Sequence, residues 1–269
     1  MRSILLSLAF ASSLAAQTTA AERAAWNRPV EPFRIAGNVY YAGAEGVSSF
    51  LIATPAGSIL LDGGLPETAP QIEKNIATLG FRLADVKYLL NSHAHFDHAG
   101  GLAQLKRDSG AQMVASRADG AIISTGRGRD FPPVRIDRFV ENGATVELGG
   151  AVMTAVLTPG HTKGCTTWTM PVSAAGNTYN VVFYCSTTVV DKLKDNRGYP
   201  RIVADYHHSF DTLAKLPCDV FLAPHPSFFH MDDKRARLMA GGPNLFIDSG
   251  EMRAYVEKSR QDFERSLAK

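Results

Sequence analysis

Cysteine is scarce in this chain, with only Cys165, Cys185 and Cys218 among 269 residues. At most one internal bridge can form and one thiol is left over, so this is not a disulfide-stapled scaffold. A chain of this length has room for a substantial core without staples. Long apolar runs are also missing. The run Ile4–Phe10 is too short to cross a bilayer, and no other segment is long and apolar enough. Neither sign of charge dominates: 28 Lys and Arg against 26 Asp and Glu leave +2. With no basic run and no basic–aromatic stripe, nucleic acid is not indicated as a partner, and so weak a basicity does not imply an acidic membrane surface. There is no internal repeat, low-complexity stretch or linker. No serine sits in a G-x-S-x-G elbow, which argues against a serine hydrolase.

The first twenty residues differ from the rest. "MRSILLSLAFASSLAAQTTA" places Arg2 before an apolar run and then small residues, the order of a secretory signal. Ser13-Leu14-Ala15 and Thr18-Thr19-Ala20 are both small-x-small cleavage sites, so the mature chain is expected to begin between Ala16 and Ala21. Residues 1–20 are then a signal peptide and 21–269 one domain. Export implies an oxidising compartment and no membrane association once the signal is removed.

The rest alternates strands and helices. Gly37–Ala42, Ser49–Ala53, Ser58–Leu61, "VKYLL", Gln112–Ala115, Thr145–Leu148, Val152–Leu157, Thr166–Met170, Asn180–Tyr184 and "DVFLA" have the apolar, β-branched character of strands. "LPETAPQIEKNIATLG", "AGGLAQLKRDSG", "RIVADYHHSFDTLAKL" and "EMRAYVEKSRQDFERSLAK" are expected helices. This order suggests layered sheets covered by helices.

Three strand ends carry the chemistry. "VKYLLNSHAHFDH" delivers His93, His95, Asp97 and His98, "VLTPGH" delivers His161, and "VFLAPH" delivers His225. His93 and His95 are two apart, so an extended backbone points both to one side. Asp97 and His98 come as the chain turns into a helix and can aim at a neighbouring point. Imidazoles and a carboxylate without thiolate suit zinc, and six donors are too many for one tetrahedral ion. They divide into two sets of three, each leaving a position open for water, which marks catalytic rather than structural sites. A water shared by two zinc ions would fall from a pKa of about 15.7 to near 7. That favours hydroxide by about 12 kcal/mol, so no side-chain nucleophile is needed. His207 and His208 are expected on a solvated helix face, and His230 at a rim or in the core.

"HAHFDH", "TPGH" and "APHP" together resemble the metallo-β-lactamase superfamily, whose members share a four-layer αββα sandwich with metal at one edge of the sheets. The likeness runs over nearly the whole mature chain, through "EPFRIAGNVYYAG", "LLDGGLPETA" and "DYHHSFDTLAKLPCDVFLAPHP". Glyoxalase II and the lactonases of the family carry a metal-bridging aspartate where this chain has Cys185-Ser186. Serine there is similar to subclass B3; subclasses B1 and B2 use a cysteine ligand, so a one-residue shift would bring Cys185 into that role. The resemblance implies that His93, His95 and His161 hold the first of two Zn2+ ions per chain and Asp97, His98 and His225 the second. Ser186 would lie beside the second ion, Thr188 would help hold a substrate carboxylate, and Asp62 would either support the ligands or be a simple turn aspartate. In this subclass the counterpart of Cys218 often pairs with a cysteine where this chain has Met252, leaving Cys218 free. Cys165 and Cys185 follow two strands and could pair with each other. Lys163 stands where relatives often have proline, either drawing a substrate carboxylate or pointing into water. The loop "STGRGRDFPPVRID" is shorter than in several relatives.

The expectation is a periplasmic zinc hydrolase, monomeric by default, that opens small-molecule β-lactams: penicillins, cephalosporins and carbapenems. Hydroxide held by metal would attack the amide carbonyl, with Asp97 the catalytic residue that orients it. The alternatives are another hydrolase of the fold, such as a lactonase or thioesterase, and a non-catalytic secreted zinc-binding protein.

Overall fold

The computed structural model describes residues 18–126 and 131–269. A short helix α1 (Ala20–Trp26), capped by Thr19 and Glu22, precedes the sheets. The first sheet has seven strands in chain order: β1 (Phe33–Ala36), β2 (Val39–Tyr41), β3 (Phe50–Thr54), β4 (Gly57–Leu61), β5 (Val86–Leu90), β6 (Gln112–Ser116) and β7 (Arg138–Val140). β1 to β4 pair antiparallel and β4 to β7 parallel. The parallel crossovers carry α2 (Ala69–Thr78), α3 (Phe96–Ala99), α4 (Leu102–Ser109) and α5 (Arg117–Thr125).

The second sheet runs in the order β12 (Val220–Leu222), β11 (Asn177–Phe183), β10 (Thr166–Ala174), β9 (Ala151–Leu157), β8 (Thr145–Leu148). Three helices accompany it: α6 (Ile202–Leu213), α7 (Met231–Met239) and α8 (Glu251–Ala268). Together the four layers form the expected αββα sandwich.

The apolar pattern explains the layering. Successive strand residues face opposite sides of a sheet. Phe50, Ile52, Ile59, Leu61 and Leu90 therefore join Trp168, Met170, Val181 and Phe183 between the sheets. Leu51, Leu60 and Leu89 turn the other way, onto Ile72, Ile76, Leu102 and Leu105 of α2 and α4. Strands covered on both faces read as unbroken apolar runs, which is why "FLIA", "SILL" and "YLL" are so legible. On the far side, Tyr206 and Phe210 of α6 meet Phe263 of α8 at ring separations of 4.8 and 5.6 Å.

This topology gathers one set of strand ends. β9 and β11 flank β10 antiparallel and β12 runs parallel to β11, so β9, β11 and β12 share a direction. Their C-terminal ends meet that of β5. Cys165 and Cys185 form a disulfide across the open end of the β10–β11 hairpin, with Cα atoms 5.8 Å apart. Cys218 is free.

Candidate metal centre

Beyond β5 the chain is held from beneath. Asp62, in the left-handed region at φ 64°, turns its carboxylate under the loop. It accepts from Asn91 Nδ2 (3.1 Å), Ser92 N (2.7 Å) and Ser92 Oγ (2.6 Å). Trp168 Nε1 donates to the Asn91 carbonyl and Thr166 N to that of Ser92, tying the loop to the second sheet. Asp62 is therefore a support, not a simple turn residue. Burial raises its pKa to about 6, an effect that His98 and Ser92 partly offset.

The six expected donors come together. His93, His95 and His161 form one group, and Asp97, His98 and His225 another, with donor atoms in each within 4.8 Å of one another. A tetrahedral zinc with bonds of about 2.0–2.1 Å separates its donors by about 3.3 Å. His93 Nε2 and His161 Nε2 are 3.2 Å apart. Asp97 Oδ2 is 3.2 Å from His98 Nε2 and 3.4 Å from His225 Nε2. The spacing fits an ion in either set. Among the described residues, buried His98 makes no hydrogen bond from either ring nitrogen, a costly state for a polar group unless an ion completes it. The two sets adjoin, with the His93 and His98 ring centres 4.3 Å apart.

The far ring nitrogens fix the orientation. His93 Nδ1 meets Ser92 Oγ at 2.9 Å, His161 Nδ1 the Thr188 carbonyl at 2.7 Å, and His225 Nδ1 the Gly46 carbonyl at 2.9 Å. Each arrangement leaves Nε2 facing the centre, as metal-bound imidazoles require. Burial, reinforced by neighbouring imidazoles, lowers the pKa of His93 and His225, and burial takes His161 to about 4. They are held neutral, the ligating form. For His98 burial is outweighed by Asp97 and Asp62, which raise its pKa. Asp97 is likewise buried, yet His98 and His225 hold its carboxyl well below the usual range.

The sequence reading missed two parts of the centre. Asp119 of α5, 1% exposed, joins the two loops of the first set. Its Oδ2 accepts from Ala94 N (2.9 Å) and Thr162 Oγ1 (2.6 Å), its Oδ1 from Gly164 N (2.9 Å). A Cβ on Gly164 would lie 2.5 Å from Asp119 N and 2.2 Å from Ser116 Oγ, so glycine alone admits this approach. The second is Trp26, whose ring lies 5.5 Å from that of His225. A side chain at Gly46 would strike it at 2.5 Å. Helix α1 is anchored by a two-pronged Arg23–Glu67 contact.

The donors open on a cleft of about 810 Å3. Ser186, Thr188, Lys163 and Tyr199 line it, as do the apolar Trp26, Phe96 and Phe228. Cys185 is committed to its disulfide and is not among the lining residues, so Ser186 alone of that pair faces the cleft. His207 and His208 are exposed, as expected, and His207 meets Glu264 at 3.0 Å. His230 is exposed rather than in the core. Of the quoted loop "STGRGRDFPPVRID", residues 127–130 lie outside the described residues, as do residues 1–17 of the expected signal.

Two three-donor sets at the sheet edge of an αββα sandwich define a metal-dependent hydrolase fold. The chain belongs to the metallo-β-lactamase superfamily, whose family model matches residues 42–225. Among solved structures it is similar to BJP-1, a subclass B3 metallo-β-lactamase of Bradyrhizobium japonicum. That match has 40% identity and a TM-score of 0.87, covering 91% of this chain and 96% of the other. It is also similar to the FEZ-1 metallo-β-lactamase of Legionella gormanii, with 41% identity, a TM-score of 0.87 and 89% and 96% coverage. A hydroxyacylglutathione hydrolase of Acidiphilium cryptum is 28% identical over 178 residues, 66% of this chain and 63% of that protein. Human persulfide dioxygenase ETHE1 is 28% identical over 171 residues, 62% of this chain and 58% of that one. The chain thus spans less than two thirds of these two relatives.

Proposed function

We propose that the chain is a subclass B3 metallo-β-lactamase, a periplasmic enzyme with two zinc ions that hydrolyses penicillins, cephalosporins and carbapenems. The observation that carries this reading is a pair of three-donor sets opening on a cleft that Ser186 and Thr188 line, with no carboxylate in residues 184–190. The likeness to BJP-1 and FEZ-1 at 40% and 41% identity supports it. His93, His95 and His161 would hold one ion and Asp97, His98 and His225 the other. Zinc bound there supplies Lewis acidity toward the lactam carbonyl and a water of lowered pKa. The residues of the chain do the rest. Asp97 stays ionised and accepts the hydrogen bond that orients the attacking water. Ser186 and Thr188 hold the substrate carboxylate by their hydroxyls. Trp26, Phe96 and Phe228 exclude water along the apolar side and take the substituents of the ring.

Thioester hydrolysis is the second reading, favoured by the likeness to hydroxyacylglutathione hydrolase. The absence of an acidic residue at Ser186 weighs against it. The deciding measurement is loss of carbapenem ultraviolet absorbance with purified, zinc-loaded mature protein. Chelator-sensitive loss is expected. No loss, with two zinc ions bound, would overturn the β-lactam assignment and move the search to thioesters and lactones.

A further inference from the structure

The turn after β9 is held at several points. His161 turns to the metal centre, while Thr162 Oγ1 and Gly164 N both bind the buried Asp119 carboxylate. Lys163, between these two held residues, is exposed and lines the cleft. Its Nζ lies 5.4 Å from the centre of the Tyr199 ring, within cation–π range. Tyr199 is 8% exposed and lines the same cleft. Lys163 is the only lysine or arginine among the described residues lining the cleft, and among them it has no carboxylate within 4.0 Å. Asp191, an acid at the rim, accepts from Lys192 N at 2.7 Å.

We infer that Lys163 is the anion-recognition residue of the cleft: held across Tyr199, it takes the carboxylate of an anionic substrate. The inference rests on the β-lactamase reading and deepens it. The hydroxyls of Ser186 and Thr188 direct a carboxylate but bring no charge toward it. An ammonium with no carboxylate within 4.0 Å among the described residues supplies that charge. The Asp119 clamp sets the direction of Lys163 before substrate arrives, so less freedom is lost on binding.

The test compares a carboxylate-bearing carbapenem with its neutral methyl ester, using zinc-loaded wild type, Lys163→Met, Lys163→Arg and Lys163→Glu. Exposed ion pairs of this kind change affinity by up to about fivefold. Lys163→Met should lower the acid-over-ester ratio of kcat/KM by that factor, through KM rather than kcat. Lys163→Arg should restore most of the ratio and Lys163→Glu should depress it further. The fall in acid turnover with added salt should flatten in Lys163→Met. A ratio within twofold of wild type in both Lys163→Met and Lys163→Glu would overturn the inference.

If the wild type hydrolyses neither compound, the β-lactamase reading fails, and equilibrium binding of the same pair, read by tryptophan fluorescence, decides the role of Lys163. Loss of acid preference in Lys163→Met supports it. Retained preference, or binding of neither compound, overturns it.

Discussion

At the scale of single residues, the centre separates donors from the groups that aim them. Replacing the donor His161 by alanine should abolish hydrolysis while leaving the circular-dichroism spectrum and cooperative melting intact. Retained turnover would remove His161 from the set. Asp119→Asn makes a subtler change, because an amide cannot accept at both oxygens from Ala94 N, Thr162 Oγ1 and Gly164 N. Losing a group that orients ligands typically costs 10- to 100-fold in metal affinity. Competition with a chromophoric chelator should find zinc binding weakened by about that factor. Equal zinc affinity in Asp119→Asn and wild type would reduce Asp119 to a packing role. The difference in legibility follows from the same division. His93, His95, Asp97 and His98 crowd into six positions and announce themselves. Asp119 sits in "SRADGAI", and its meaning exists only once α5 lies against the loop of Gly164. Trp26 was as silent, since its partner His225 is 199 positions away.

At the scale of elements, legibility tracked burial. β5 and β8 stand at the expected bounds, Val86–Leu90 and Thr145–Leu148, and β10 and β11 extend further along their hairpin than their apolar parts suggested. Helices α5 and α7 were not foreseen: Gly120 interrupts one, and "MDDKRARLM" buries only Met231 and Lys234. The short β1 and β7 also escaped, being three or four residues with charged positions. β7 is secured partly through Asp137, which accepts from Met113 N at 2.8 Å, Arg135 at 2.6 Å and Lys106. Burial works to raise its pKa, but Lys106, Met113 N and Arg135 outweigh this and lower it to about 2. A depressed carboxyl stabilises the fold above its unfolded value of about 3.9 and loses that contribution as pH falls through about 2. Asp137→Asn should therefore cost roughly 2 kcal/mol at pH 7. In urea melts at pH 7, 5 and 3, the gap to wild type should be full at the first two and narrowed at the third. A gap independent of pH would assign the cost to packing alone.

At the scale of the whole molecule, the donors bridge the two sheets: His93 and His95 follow β5, His161 follows β9, and His225 follows β12. Metal that binds only the folded chain stabilises it by mass action, by about 4 kcal/mol at a thousandfold excess over Kd. Zinc should raise the melting temperature by several degrees and a chelator should reverse this. Unchanged melting with bound zinc would mean that the unfolded chain binds it equally well. The Cys165–Cys185 bond also bears on how the protein opens. It fastens the β10–β11 hairpin at the end that faces the metal centre, and leaves only the turn at Ala174 and Asn177 to fray. Solvent deuterium should thus enter this hairpin from one direction, first near residues 174–177 and last near Trp168 and Phe183. After reduction, a second front should start at the centre itself.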